Sequence, residues 1–473
     1  MKAGAAQWAR AEFGRARLGD VRRTRRLLVM AAMALRRPSG KVSAVFDRAS
    51  EREGAYDFLE SPLVKPDAVA ESIFAATTAR ARGEERVFVA IDGSSLALSD
   101  ENGAKGFGTI GSPNRLVRGL MVMNALAVTT EGVPLGLVDQ IFWNREPAET
   151  GLAPGDRAER NRNRPFDDKE TSYLIDAARN AMKRLETVGA TPWVVIDREG
   201  DNRDILLRLH HEGFLFTVRG RWDRRLHASS ESLHAALDAE PSLGTYDIHV
   251  ARSGRRAART AVVDVRASQV TLHFVGRGVY PEDALRLYAV RIREDSDERD
   301  ALDWLLYTNV PVFSAEHARK ILESYQARWR VEEFHRTWKQ GECNVEDAQL
   351  RSMDAVIKWS TILAAVATRI ERLKYLSRNK PAEPATIEFG ADEIDALRLD
   401  RQRRTRRRRR PPTMPTILEA TQWAAELGGW SGPRSGPPGS ITLARGLERL
   451  AYLVEGMALE RRRKSRDRPP PPS

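Results

Sequence analysis

Two short apolar runs constrain this chain more than anything else in it: Val87-Phe-Val-Ala-Ile91 and Trp193-Val-Val-Ile196, each followed at once by an acid, Asp92 and Asp197. Both are too short for a buried helix and too uniformly apolar for a half-exposed strand. They read as buried strands that deliver a carboxylate at their C-terminal ends. Helical periodicity precedes the first run at about 5–35, 50–60 and 66–82, and lies between the two at about 168–187. Residues 119–129 and 135–143 extend the sheet through a turn at Thr130–Pro134, and a polar loop at about 145–167 follows. From about 214 to 310 strand-like runs alternate with turns, and helical character resumes near Ala315 and again over 352–376. Pro411-Pro412 marks a linker, and a helical stretch at about 415–462 is broken by a Gly/Pro/Ser segment from Gly428 to Gly439. The chain has no internal repeat. An α/β fold is expected.

The segment Tyr325–Lys339 adds a third acid in unusual company. At about 100° per residue on a helix, Tyr325, Arg328, Glu332, Arg336 and Lys339 fall within an arc of roughly 80°, with Ala327, Val331, Phe334 and Trp338 opposite. A lone carboxylate among cations suits a metal ligand beside a bound polyanion, the Glu holding the metal and the cations and phenol holding phosphate oxygens. A solvated face with ordinary i,i+4 pairs, such as Arg328 with Glu332, explains the same stripe equally well.

Charge points to the same kind of partner. The net charge is +12, yet residues 401–410 alone carry eight arginines and residues 461–468 a net +5, so the rest of the chain is close to neutral. A third patch, residues 1–26, holds eight cations against Glu12 and Asp20. Concentrated basicity fits nucleic-acid contacts better than a generally cationic surface, although the 461–473 stretch, ending in four prolines and a serine, reads more readily as a solvated tail. The single Cys343 excludes an intrachain disulfide framework and is compatible with a reducing cytoplasm. No apolar stretch approaches the ~20 residues of a membrane span, and residues 1–30 lack the apolar core of a signal peptide. A soluble, cytoplasmic protein with no membrane partner is expected.

Asp92, Asp197 and Glu332 together are the right donors for Mg²⁺, a hard ion that keeps several waters and takes only a few carboxylates. Two ions about 3.5–4 Å apart can activate an attacking oxygen and stabilise a leaving one in phosphoryl transfer. Taken singly, each Asp could equally be a turn or helix-cap residue after a strand.

The order Asp, Asp, Glu, with the last inside Tyr325-x-x-Arg328-x-x-x-Glu332-x-x-x-x-x-x-Lys339, resembles the DDE transposases of bacterial insertion sequences, specifically the transposon-five-like, insertion-sequence-four family. Trp8-Ala-x-x-x-Phe13, Leu18-Gly-Asp20-x-Arg22-Arg23-Thr-x-Arg26, Ser39-Gly-Lys41 and Glu53-Gly-Ala-Tyr56-x-Phe58 are similar to that family's end-binding domain. Asp197-Arg-Glu-Gly-Asp201 is similar to its second-Asp motif, and Trp304, 21 residues before Tyr325, to its base-stacking tryptophan. The resemblance runs to about residue 460.

What the resemblance implies is specific. The fold would be a ribonuclease-H-like core at 85–378 with a β-rich insertion at about 214–310. Flanking it would be a helical end-binding domain at 1–84, a basic linker at 379–414 and a helical dimerisation module with a basic tail at 415–473. Asp92, Asp197 and Glu332 would bind two Mg²⁺, with Mn²⁺ as a substitute. Tyr325, Arg328 and Lys339 would grip phosphates at the transposon end, and Trp304 would stack on a flipped base, although ordinary β-core packing also accounts for it. Arg219 and Arg221 would meet the hairpin and flanking DNA, or else form a solvated strand end. Arg22, Arg23 and Arg26 could meet one phosphate backbone together. The chain departs from the family at Arg336, commonly Lys, and at Gly93, where relatives often carry a hydroxyl beside the Asp. The implied reaction is cut-and-paste transposition through a hairpin, by a homodimer acting on terminal inverted repeats and target DNA in the bacterial nucleoid. A catalytically inactive or regulatory DNA-binding derivative, a stand-alone metal-dependent nuclease and a DNA-packaging protein are the alternatives.

Overall fold

The computed structural model describes residues 3–100, 103–111, 117–145, 164–250, 258–274, 280–296, 301–404 and 412–466. The chain opens with helices α1 (Ala3–Phe13), α2 (Val21–Arg36), α3 (Val42–Val45), α4 (Ala49–Glu60) and α5 (Pro66–Arg80). Strands β1 (Arg86–Ala97), β2 (Gly108–Ile110), β3 (Val117–Thr129) and β4 (Pro134–Trp143) follow, then α6 (Ser172–Glu186), β5 (Thr191–Ile196), α7 (Arg203–His211) and β6 (Leu215–Arg219). Beyond these lie α8 (Leu233–Ala239), β7 (Thr245–Val250), β8 (Arg259–His273), β9 (Ala284–Glu294) and β10 (Asp303–Thr308). The C-terminal part is helical: α9 (Ala315–Lys339), α10 (Met353–Asn379), α11 (Ala391–Arg404), α12 (Ile417–Leu427) and α13 (Ser440–Arg466).

The strands join in one sheet of order β4-β3-β1-β5-β6-β10-β9-β8-β7, with β2 beside β4 on the outer edge of β3. β3 is antiparallel to β1 and β4, whereas β1, β5 and β6 run parallel. Parallel neighbours need a crossover, supplied here by α6 and α7. This is the ribonuclease-H-like core expected from the sequence.

Alternation along β1 shows why the sheet must be covered on both sides. Phe88 and Ala90 enter one apolar cluster with the N-terminal helices, α9 and α10. Val87, Val89 and Ile91 enter a second one with α6 and α7. In β5, Trp193 and Val195 take the first side and Val194 and Ile196 the second. Continuing that alternation, Asp92 and Asp197 fall on the α9 side of the sheet.

Three boundaries differ from the sequence reading. Asp92 is not at the end of its strand: β1 runs on to Ala97, because β3 pairs with it as far as Gly119 opposite Ala97. Only the parallel pairing to β5 stops at Ile91 opposite Ile196. The region from 214 to 310 is not all-β, since it contains α8, and its first strand, β6, pairs with β5 inside the core. Its remaining strands extend the central sheet through β10, antiparallel to β6. Finally, the stretch expected to be a basic linker holds α11, with Ile394, Ala396 and Leu397 buried. Residues 405–410 of the arginine run lie outside the described residues. Among the described residues no helix is long and apolar enough to cross a membrane.

Candidate active site

Where β5 leaves β1, the chain turns. Asp197 caps the short turn Arg198–Gly200, its carboxylate accepting from the Glu199 amide at 2.8 Å. β1 continues alone on that side, so a crevice opens beyond Ile91 and Ile196 with Asp92 on one wall and Asp197 on the other. α9 packs across the same face, against β1, β3, β5 and β6. Its start is fixed by Ser314, which accepts from the His317 amide. Ala327, Val331, Phe334 and Trp338 are buried as the helical spacing predicts.

The opposite stripe is the surprise. Tyr325 and Arg328 are 0% and 4% exposed, so the N-terminal half of the stripe is buried rather than solvated. Ser324 hydrogen-bonds Thr217 of β6 at 2.9 Å, holding the helix on the sheet. Arg328 pairs with Glu332 and lies over the rings of Tyr325 and Trp329, while its buried Nε has no hydrogen-bond partner. Lys339 donates to the Ser95 carbonyl and lies 3.5 Å from Glu346, whose carboxylate also accepts from the Ala97 amide at 2.8 Å. Arg336 alone of the stripe is exposed, Glu332 and Lys339 being half-buried.

The acids sense one another. Burial, foremost, pushes the Asp92 carboxyl up to about 7; Arg328 opposes the shift, and the negative charges of Asp197, Glu332 and Glu199 add to it. Desolvation and Asp197 raise Glu199 as well. A folded-state value above the unfolded 3.8 means that Asp92 stabilises the metal-free fold below about pH 4, and that this stability is lost as pH rises through about 7. In EDTA, Asp92→Asn is therefore expected to be more stable than the wild type at pH 8, by on the order of a few kcal/mol, and equal to it near pH 4. Urea midpoints at the two pH values check this, and an unchanged midpoint at pH 8 would contradict the burial of Asp92.

The remaining sequence candidates divide. Arg219 donates to the Tyr325 hydroxyl at 3.3 Å and lies 6.0 Å from the Trp304 ring centre. Trp304 itself is buried and meets Tyr325 edge-on at 5.1 Å. Arg221 is exposed and stacks on exposed Trp222 at 4.7 Å. The loop that carries this pair is held by Asp201, a fully buried carboxylate that accepts from the Arg221 and Trp222 amides and from Arg224. Arg22, Arg23 and Arg26 lie on α2, a different element, and are not equivalent: Arg23 donates to the Leu18 carbonyl at 3.0 Å, and the Arg26 guanidinium lies against Gly54. Arg22, Arg25 and Arg26 are exposed, and Arg23 is half-buried. The sequence reading missed Arg25, Glu199, Glu346 and His335. Of these, Glu199 stood inside the quoted Asp197–Asp201 motif and His335 at i+3 spacing from Glu332 on the helix.

Asp92, Asp197 and Glu332 thus interact electrostatically on the face of a ribonuclease-H-like sheet that cation-bearing α9 covers. Residues 5–64 match the family model described as transposase DNA-binding, and residues 165–369 match that described as transposase DDE domain. The chain thus carries one region similar to a transposase DNA-binding domain and one similar to a transposase DDE domain. The first match includes Arg22, Arg23 and Arg26; the second includes Asp197 and Glu332 but begins after Asp92.

Proposed function

We propose that this chain is a cut-and-paste transposase of the transposon-five-like, insertion-sequence-four kind, acting as a homodimer on the inverted repeats of its own element. The observation that supports this most is the shared crevice: Asp92 and Asp197 at the parting of β1 and β5, with Glu332 on the helix packed over them. Crowded carboxylates suit a small divalent cation, because each raises the cost of ionising the others until a positive charge joins them. Asp92, Asp197 and Glu332 would hold Mg²⁺ or Mn²⁺, two ions per site, which when bound would supply Lewis-acid stabilisation of the phosphate oxygens and a more acidic attacking water.

In this reading the chain's own groups orient DNA. Arg219, Tyr325 and Trp304 form one cluster beside the crevice, with Arg328 next to Tyr325. Arg336, Lys339 and the exposed Arg221 supply phosphate contacts, and Arg22, Arg26 and their neighbours on α2 meet the terminal repeat. Water first replaces one bridging oxygen at the element end, leaving a 3′-hydroxyl and a 5′-phosphate. That hydroxyl attacks the opposite strand and closes a hairpin, a second water reopens it, and the 3′-hydroxyl then joins target DNA. Each step exchanges one P–O bond for another, so no redox or nucleotide cofactor is required. Residues 1–84 would bind ends, 85–378 carry the chemistry and 415–473 mediate pairing.

The test is incubation of the purified protein with Mg²⁺ and a labelled duplex bearing the gene's own flanking ends, read on a denaturing gel. A band of double length is expected. Bound but uncut DNA would favour a regulatory derivative, and cleavage of any duplex alike would favour a nuclease. Arg336→Ala is expected to leave folding intact and lower the slope of log K against log salt by about one. An unchanged slope in filter binding would remove Arg336 from the phosphate contacts.

A further inference from the structure

We propose that His335 is a positioning residue that donates its Nδ1–H to Asp92 and so fixes which carboxylate oxygen is offered to the divalent cation; this rests on the metal-dependent reading above. His335 follows Glu332 by three residues on α9, and its Nδ1 lies 3.6 Å from Asp92 Oδ2. That is just outside hydrogen-bonding reach, as catalytic contacts often are before substrate and metal tighten them.

The direction of the proton follows from what stands behind the ring. Asn124 sits directly opposite Asp92 in the β1/β3 register, and Gln140 directly opposite Asn124 in the β3/β4 register. Thr361 of α10 donates to Gln140 Oε1 at 3.1 Å, and Gln140 Nε2 donates to Asn124 Oδ1 at 2.8 Å. The Asn124 amide nitrogen, 2.9 Å from His335 Nε2, is then left to donate to it. An Nε2 that accepts places the ring proton on Nδ1, facing the carboxylate. Reversing both amides would instead aim the Nδ1 lone pair at an anion.

Four polar side chains in line are expensive on a face whose other β3 residues are Leu120, Val122, Leu126 and Val128. The line ends at Asp92. An Nε2 that accepts from Asn124 also leaves the imidazole with a single ring proton, and so uncharged. A neutral donor orients Asp92 without cancelling the negative charge that a cation needs, which Arg328 cannot do. Hydrogen bonds to ligating carboxylates of this kind commonly set metal affinity by ten- to a hundredfold.

Mn²⁺ affinity of the DNA-free full chain, read by the EPR signal of free Mn²⁺, tests this together with thermal melting. An Asn amide nitrogen can take the place of Nδ1, whereas a Gln amide reaches the Nε2 position. His335→Gln should therefore weaken Mn²⁺ binding by about tenfold or more, while His335→Asn stays within about threefold of wild type. Equal affinity in all three proteins, or equal loss in both variants with unchanged melting, overturns the proposal. Should both variants melt early, the ¹⁵N spectrum of the histidine-labelled wild type decides, since one ring must be in the Nδ1–H form and an Nε2–H His335 overturns the assignment. A wild type that binds no Mn²⁺ would overturn the metal reading itself.

Discussion

Glu332→Gln is expected to leave DNA-end binding within about twofold of wild type and to lower strand cleavage by roughly three orders of magnitude or more, the scale of several kcal/mol of lost transition-state stabilisation. The amide keeps the shape of the side chain and can still face Arg328, so α9 should stay seated on the sheet through Thr217–Ser324 and its apolar side. What is lost is one negative donor beside Asp92 and Asp197. Cleavage of an end duplex in Mg²⁺, beside a native-gel binding curve, checks both halves. Parallel loss of binding and cleavage in a folded variant would make Glu332 a structural partner of Arg328. The change also removes one of the charges that raise Asp92, so the Asp92 carboxyl should titrate lower in this variant than in the wild type.

Glu393→Ala is expected to destabilise the chain by about 3–5 kcal/mol, the range for leaving a buried charge without its partner. Arg369 on α10 is 3% exposed, donates to the Glu388 carbonyl at 3.0 Å and to both Glu393 oxygens at 3.1 and 3.3 Å, and its Nε already lacks a partner. Glu393 also accepts from the Gly390 amide at 2.8 Å, and a Cβ on Gly4 of α1 would collide with it. The pair thus joins α1, α10 and α11. Replacing both partners, Arg369→Met with Glu393→Leu, should recover most of the loss, because no charge is then stranded. Urea denaturation of the single and double variants decides. A loss below about 1 kcal/mol for Glu393→Ala would show a pair that water reaches, as in surface ion pairs.

The interior of the fold was legible because burial writes itself into local pattern. Val87–Ile91 and Trp193–Ile196 could only be buried strands, and their final acids pointed to the crevice before any tertiary contact was known. The apolar side of α9 was equally plain from its period. The extent of β1 was not: five residues past Asp92 remain in the strand because β3 pairs with them, a non-local choice that no run of residues around Gly93 announces. Helix α11 was hidden for the opposite reason, its few core contacts outweighed in sequence by the arginines that surround them.

For the site, sequence supplied the residue types and their order, since the three acids and the Tyr325–Lys339 spacing depend only on local geometry. Tertiary structure decided their states. It buried Tyr325 and Arg328 where a solvated face was equally consistent with the spacing, and it tied Arg23 to backbone carbonyls among three arginines that looked alike. It also set His335 between Asn124 and Asp92. Spacing along a chain fixes which groups share a helix face or a strand end. Desolvation, charge coupling and hydrogen-bond direction depend on what packs from elsewhere in the chain, and that exists only once the sheet and α9 have closed on each other.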